Sequence, residues 1–335
     1  MLPHERPPAK RIRALGLLSG GLDSALAAAL LLEQGLEVVA LHLQSPTSGR
    51  SDVAAVARDL GIPLEVRDKG EEFLRLLRAP RWGYGRNLNP CVDCRVFMFR
   101  RGREALAEFG ADFVFTGEVP GQRPMSQLRA QLDLIDRQSG LAGWILRPLA
   151  ARRLPATEPE RRGWVDRARL LAISGRSRQV QLAEAARLGL KHYGSPGGGC
   201  RLTDTAFARK LRDLFDHAGA GAVTDTEVGL LALGRHFRLG PGLKVVLGRD
   251  AAENGRLAAL QGPGRWLVEP EGFTGPSALV CGPHDDASLA QAAGLIARYG
   301  RAPLSHHLVR WQVDGQSRTS PLGASVSTPT PVAAL

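Results

Sequence analysis

The chain has 335 residues, 44% of them hydrophobic, which is enough to bury the cores of two domains and excludes a disordered or fibrous chain. Forty-four Lys and Arg against 33 Asp and Glu leave a net charge of +11, an excess that suits a polyanionic partner, most simply nucleic acid. The first residues are polar and basic with no apolar h-region behind them, the longest apolar stretch (residues 25–32) is too short to span a bilayer, and the four cysteines suit a reducing compartment. A cytoplasmic protein with no membrane attachment is expected.

Residues 12–18 read as an apolar strand and 25–32 as an alanine- and leucine-rich helix. Between them lies Ser19-Gly20-Gly21-Leu22-Asp23-Ser24. A glycine pair between strand and helix lets the backbone turn tightly and approach an anion, while the helix N-terminus offers N–H donors and the positive end of its dipole. Ser19 and Ser24 add hydroxyls, and Asp23 can hold Mg²⁺ or cap the helix. No Gly-Lys-Ser/Thr follows, so this is not a Walker A loop.

Strands at 38–44, 64–67 and 113–116 alternate with helices at 52–60, 71–78 and 97–109. This succession predicts an α/β fold, a doubly wound parallel sheet whose ligands lie outside the carboxyl ends of its strands. The loops after Leu18, Leu43 and Phe115 should line one crevice. Helices are expected at 158–172 and 179–188, in a stretch rich in arginine. A helix at 205–215 then closes a first domain spanning 10–215. A smaller α/β domain is expected over 220–315, with strands at 243–247, 266–269 and 278–281 and a helix at 287–298. The Ser/Thr/Pro/Ala composition of 316–335 predicts a disordered tail.

Three cysteines stand in reactive settings. Asn89-Pro90-Cys91-Val92-Asp93-Cys94-Arg95 places a Cys-x-x-Cys at a helix start, and Cys200 ends the glycine-rich run Ser195-Pro196-Gly197-Gly198-Gly199. A helix N-terminus and nearby arginines lower a thiol pKa, so thiolates are expected here. No second pair or ligand-spaced histidine completes a zinc site. Cys281, in a strand, reads as a core residue.

The Ser-Gly-Gly-x-Asp-Ser turn resembles the PP-loop of the ATP pyrophosphatase family, enzymes that split ATP between its α and β phosphates and adenylate a substrate. Asn-Pro-Cys-x-x-Cys-Arg, then Thr116-Gly117-Glu118 through Gln122 and Ser126-Gln127, Arg147-Pro148-Leu149 and the late Cys200 are similar to the tRNA sulfurtransferases within that family, the 4-thiouridine synthetases and 2-thiouridylases. The resemblance covers residues 10–215. It implies ATP-dependent thiolation of a tRNA uridine, in which adenylation of a carbonyl is followed by sulfur transfer with release of AMP and pyrophosphate. Ser19, Gly20, Gly21, Asp23 and Ser24 would bind ATP and Mg²⁺, with His42, Gly117, Glu118 and Gln122 as further nucleotide contacts. Cys91, Cys94 and Cys200 would handle sulfur taken from a sulfide or persulfide donor. They would do so either as ligands of a [4Fe–4S] cluster or by persulfide exchange between Cys200 and one of the pair. Arg147, Arg161 and Arg162 are the expected tRNA contacts. The C-terminal part loosely resembles the RNA-binding domain of the NFACT group. Two other readings stay open: a PP-loop adenylating enzyme with a nitrogen nucleophile, and a non-catalytic RNA-binding protein that retains a nucleotide pocket.

Overall fold

The computed structural model describes residues 11–49, 51–194, 199–219, 223–283, 285–300, 308–313, 316–321 and 333–334. Contacts divide the chain into two units between Thr203 and Asp204. In the first, β1 (Arg13–Leu17), α1 (Leu22–Glu33), β2 (Glu37–Gln44), α2 (Val53–Leu60), β3 (Leu64–Asp68) and α3 (Gly70–Arg78) follow in order. Then come α4 (Cys91–Ala105), β4 (Phe113–Phe115), α5 (Arg129–Gln138) and β5 (Ile145–Leu146). The strands form one sheet in the order β3-β2-β1-β4-β5, parallel throughout.

Both faces of this sheet are covered, and the strand residues divide between them by alternation. Ala14, Val38, Ala40, Phe113 and Phe115 join the core built with α1 and α2. Leu15, Leu17, Val39, Leu41 and Val114 join the core that includes Val92, Val96 and Phe99 of α4. That is why the strands read as nearly continuous apolar runs. Helix α1 is buried on most sides, through Leu22, Leu26, Leu30, Leu31 and its alanines. Each of those leucines contributes about 1.5–3 kcal/mol by leaving water, so the helix that carries the glycine turn is firmly seated. The order reverses at β1, so the carboxyl ends of β1 and its neighbours open onto the crevice that such sheets use for ligands.

The single helix expected over 158–172 is not there. One turn, α6 (Glu158–Arg161), is closed by Gly163 at φ +69°, with Gly163 N–H donating to the Glu160 carbonyl and Trp164 N–H to that of Pro159. This double closure is a Schellman motif, and the glycine permits its left-handed residue. A 3₁₀ turn (Arg167–Arg169) follows, then α7 (Gln179–Arg187).

The second unit holds α8 (Thr205–His217), α9 (Asp225–Leu230), β6 (Arg235–Gly240), β7 (Leu243–Leu247), α10 (Ala251–Ala258), β8 (Arg265–Glu271) and β9 (Ala278–Cys281). It continues with α11 (Asp286–Tyr299), β10 (Leu308–Val313), β11 (Gln316–Pro321) and β12 (Ala333–Ala334). Its sheet is antiparallel, in the order β11-β10-β8-β9-β7-β6-β12. The division therefore falls ahead of α8 rather than near residue 215. Asp213 on α8 explains this, because its carboxylate accepts two hydrogen bonds from Arg238 of β6, at 3.0 and 2.7 Å. The tail expected to be disordered from 316 begins instead as β11, paired residue for residue with β10. Ladder hydrogen bonds along the whole strand and the β-favouring Thr319 offset the ordering entropy that composition alone suggested. Residues 322–332 of that tail lie outside the described residues. Cys281 packs half-buried against the second unit's core, and burial pushes its thiol up to about 11. Among the described residues no helix is long and apolar enough to cross a membrane.

Candidate nucleotide and thiol site

The glycine turn leaves β1 at Leu18 and enters α1 at Leu22. Gly20 sits at φ +76°, and a Cβ there would lie 3.0 Å from the Ser51 side chain. Ser51 Oγ donates to the Ser19 carbonyl at 2.7 Å, so the loop before α2 braces the turn. Inside it, Ser24 Oγ donates to the Gly21 carbonyl at 2.9 Å and lies 3.1 Å from Ser19 Oγ. No side chain caps α1, so its first-turn N–H groups keep their capacity to bind an anion. Gly117, at the end of β4, presses on this turn, and a Cβ would come within 2.3 Å of the Asp23 carbonyl oxygen. Any larger residue at 117 would push α1 away from the sheet. His42 Nδ1 lies 2.7 Å from the Leu18 carbonyl, which makes it the protonated ring nitrogen and ties β2 to the turn.

A cavity of about 240 Å³ opens beside the turn, lined by Ser19, Gly21, Asp23 and His42 and also by all three candidate thiols, Cys91, Cys94 and Cys200. Cys91 and Cys94 occupy the first turn of α4. Asp93 between them is buried and accepts from the N–H groups of Arg81 (2.7 Å) and Trp82 (3.2 Å), fixing the loop that leads into the helix. Cys200 comes from a distant segment that is pinned on both sides. Gly194 N–H donates to the Gly20 carbonyl at 2.8 Å, and Arg201 N–H donates to the Thr47 carbonyl at 3.0 Å. Asn87 Nδ2 donates to the Thr203 carbonyl at 2.8 Å. Residues 195–198 of the glycine-rich run lie outside the described residues.

The expectation of low thiol pKa values is overturned at two positions. Burial raises Cys91, against a weaker opposing effect of Arg95, and burial pushes Cys200 up to about 11. Desolvation of the thiolate outweighs both the helix N-terminus and the neighbouring cations. The Lys69 ammonium lies 3.8 Å from Cys94 Sγ.

Among the described residues around the cavity, Lys69, Arg95, Arg123 and Arg178 are the cations and Asp23 is the one carboxylate. Arg178 stands 3.7 Å from Asp23 Oδ2, while Oδ1 is buried without a hydrogen-bond partner. Two expected contacts are placed elsewhere. Arg147 is not available to RNA, because it is only 4% exposed and its guanidinium is taken up by Asp136 (2.9 and 2.6 Å) and Glu118 (3.1 Å). Burial works against its charge, but those two carboxylates raise its pKa overall. Glu118 is equally buried, held by Arg147 and lying 3.4 Å from Arg95, and it does not line the cavity. It supports the site from behind instead of touching phosphate. Gln122 also reaches the nucleotide side only indirectly, through Asp23. Arg161 and Arg162 are half-exposed on the surface and paired to Glu158, and Arg162 also lies over the rings of Trp144 and Trp164.

Three thiols on one cavity have the donor chemistry of a [4Fe–4S] site. Yet among the described residues no three His, Cys, Asp or Glu side chains are gathered closely enough to hold a metal ion. That bears on a single ion, whereas the ligands of a cluster stand farther apart, and Cys91, Cys94 and Cys200 are the residues that would hold one. Mg²⁺ is a different case. It uses one or two carboxylates together with substrate phosphates, and the unpartnered Asp23 Oδ1 fits that requirement.

Sequence reasoning missed Lys69, Arg123 and Arg178. Lys69 follows β3 directly, so the rule about strand carboxyl ends points to it. Arg178 was indistinguishable from its arginine neighbours. Arg123 adjoins Gln122, and only the fold brings it to the cavity.

A parallel sheet with a glycine-serine turn at its first helix, opening on a cation-lined cavity, defines an α/β domain with a candidate anion site. Comparison with known proteins narrows that class. Residues 12–134 match the family described as tRNA methyl transferase HUP domain, and residues 234–326 match the NFACT protein RNA binding domain. The chain is 43% identical over 122 residues to the tRNA-specific 2-thiouridylase MnmA of Syntrophotalea carbinolica, covering 32% of this chain and 35% of that protein. It is 34% identical over 165 residues to the MnmA of Frankia alni, covering 43% and 47%. The chain thus spans about a third to a half of the length of these relatives. A solved 4-thiouridine synthetase–RNA complex with bound ATP matches 65% of this chain and 53% of its own at 20% identity, with a TM-score of 0.38.

Proposed function

We propose that this protein is an ATP-dependent tRNA sulfurtransferase that converts a uridine carbonyl to a thiocarbonyl. The observation that carries the reading is that thiols from two distant segments line the same cavity as the glycine turn. The triphosphate lies against the N-terminus of α1, where Ser19, Ser24 and the first-turn N–H groups receive its oxygens and the cavity cations balance its charge. Asp23 would hold Mg²⁺, which would supply charge to offset that of the leaving pyrophosphate. The uridine oxygen attacks the α phosphorus and pyrophosphate departs, leaving an adenylated base. A persulfide on Cys200 attacks the activated carbon, and AMP leaves with the former carbonyl oxygen. Cys94 then attacks Cys200 Sγ, forming a disulfide and releasing the thiocarbonyl on the base. A thiol reductant returns the pair to thiols, and a persulfide donor then passes its outer sulfur to Cys200, its own sulfur leaving as a thiol. Where sulfide is the donor, it attacks Cys200 Sγ of the disulfide in place of the reductant, leaving a persulfide on Cys200 and a thiol on Cys94. Dividing a difficult displacement into activation and substitution is the gain of covalent catalysis.

The partner is tRNA, held in part by the second unit, whose sequence matches an RNA-binding family. A cytoplasmic location accords with that substrate and with free thiols. Nucleoside mass spectrometry of tRNA from cells lacking the gene tests the reading. One thiouridine should disappear and return with the wild-type gene but not with Cys200→Ser, and an unchanged nucleoside profile would refute it.

A further inference from the structure

Gln181 on α7 is fully buried, yet it does not line the cavity. Its amide nitrogen donates to Gln122 Oε1 at 3.2 Å, and Gln122 Nε2 donates to Asp23 Oδ2 at 2.6 Å. Hydrogen-bond chemistry fixes the direction of this chain. A carboxylate only accepts, so Gln122 must present its NH₂ to Asp23; its oxygen must then accept, so Gln181 must present its own NH₂. The arrangement leaves two buried oxygens without partners, Gln181 Oε1 at one end and Asp23 Oδ1 at the other. An uncompensated buried acceptor costs about 1–3 kcal/mol, which asks for an explanation at each end. Asp23 stands in the first turn of α1, on the cavity.

We infer that Gln122 and Gln181 are positioning residues, a one-way amide relay that occupies Asp23 Oδ2 and keeps Oδ1 turned to the Mg²⁺ of the bound triphosphate. The relay makes metal affinity at the glycine turn depend on α7, a helix from a different part of the chain. It rests on the ATP reading above. Outer partners of metal-binding carboxylates are typically worth about 10–100-fold in metal affinity, and Gln122, which touches the carboxylate, carries the larger share.

The test uses the full chain with a non-hydrolysable ATP analogue. Mn²⁺ binding is followed by loss of the free-ion EPR signal, and metal-free nucleotide binding by equilibrium dialysis. Gln122→Met should weaken Mn²⁺ binding about tenfold while metal-free nucleotide affinity stays within about twofold. Gln181→Met should weaken Mn²⁺ binding by about threefold, and the double variant should match Gln122→Met alone, because the two act in series. Equal losses with and without metal, or additive losses in the double variant, would overturn the relay. Should Gln181→Met fail to fold, Gln122→Met, at a partly exposed position, decides by itself. A wild-type protein that binds no nucleotide would instead refute the ATP reading, and the relay with it.

Discussion

Two groups of cations in the first unit, Arg147 and those lining the cavity, differ in how far carboxylates already neutralise them. Arg147 is closed in by Glu118 and Asp136 and is almost inaccessible. Lys69, Arg95, Arg123 and Arg178 line a cavity in which, among the described residues, Asp23 is the one carboxylate. The first set is structural, because its charge is satisfied within the protein. The second keeps a surplus of positive charge at a helix N-terminus, where the triphosphate of the proposed function would supply what is missing. A sequence shows that arginines are abundant, and only the fold shows which of them are already paired.

The sharpest way to break this contrast is at the thiols, which lie on the open side of it. Cys94→Ser and Cys200→Ser should each lower thiolation by about a thousandfold or more, with unfolding free energy within about 1 kcal/mol of wild type. Residual turnover in Cys94→Ser would favour a nitrogen nucleophile. The same site has a predicted pH signature. With burial holding Cys200 near 11, its thiolate grows about tenfold per pH unit, so its alkylation rate should still be climbing at about pH 10, and a plateau near 8.5 would contradict the burial.

On the closed side, Arg147→Met should cost about 3 kcal/mol in denaturant unfolding, because it takes a partner from the buried Glu118 and the half-buried Asp136. A variant of normal stability with weak tRNA binding would return Arg147 to the substrate surface. Smaller again, Lys69→Met and Arg123→Met should each raise the dissociation constant for ATP about tenfold by isothermal titration, the worth of one charge-assisted contact. The smallest effect belongs to the exposed pair. Arg161→Ala with Arg162→Ala should weaken tRNA binding by a few-fold and make the salt slope shallower by about 2, and an unchanged slope would remove them from the RNA interface.

Much of the first unit was legible in the sequence because its local signals agree with one another. The glycine turn lies between an apolar strand and an alanine-rich helix, and the Cys-x-x-Cys segment begins α4 as the motif suggested. Helix 158–172 was misread because arginine and glutamate continue a helical composition through Gly163, whose left-handed backbone ends it. Arg147 and Glu118 were misassigned because strand-end position alone does not reveal that Asp136 of α5, a helix not anticipated, completes a buried network. The thiol pKa values were misjudged for a related reason. Nearby cations are visible in sequence, but the desolvation that outweighs them is not.

The account depends on adenylation and sulfur transfer sharing one cavity. Its most direct test is a balance sheet of products from purified protein, tRNA, ATP and a persulfide donor with a thiol reductant. AMP and thiouridine should form one for one, and neither should form without tRNA. Thiouridine made without ATP, or AMP released steadily with no thiouridine, would contradict it.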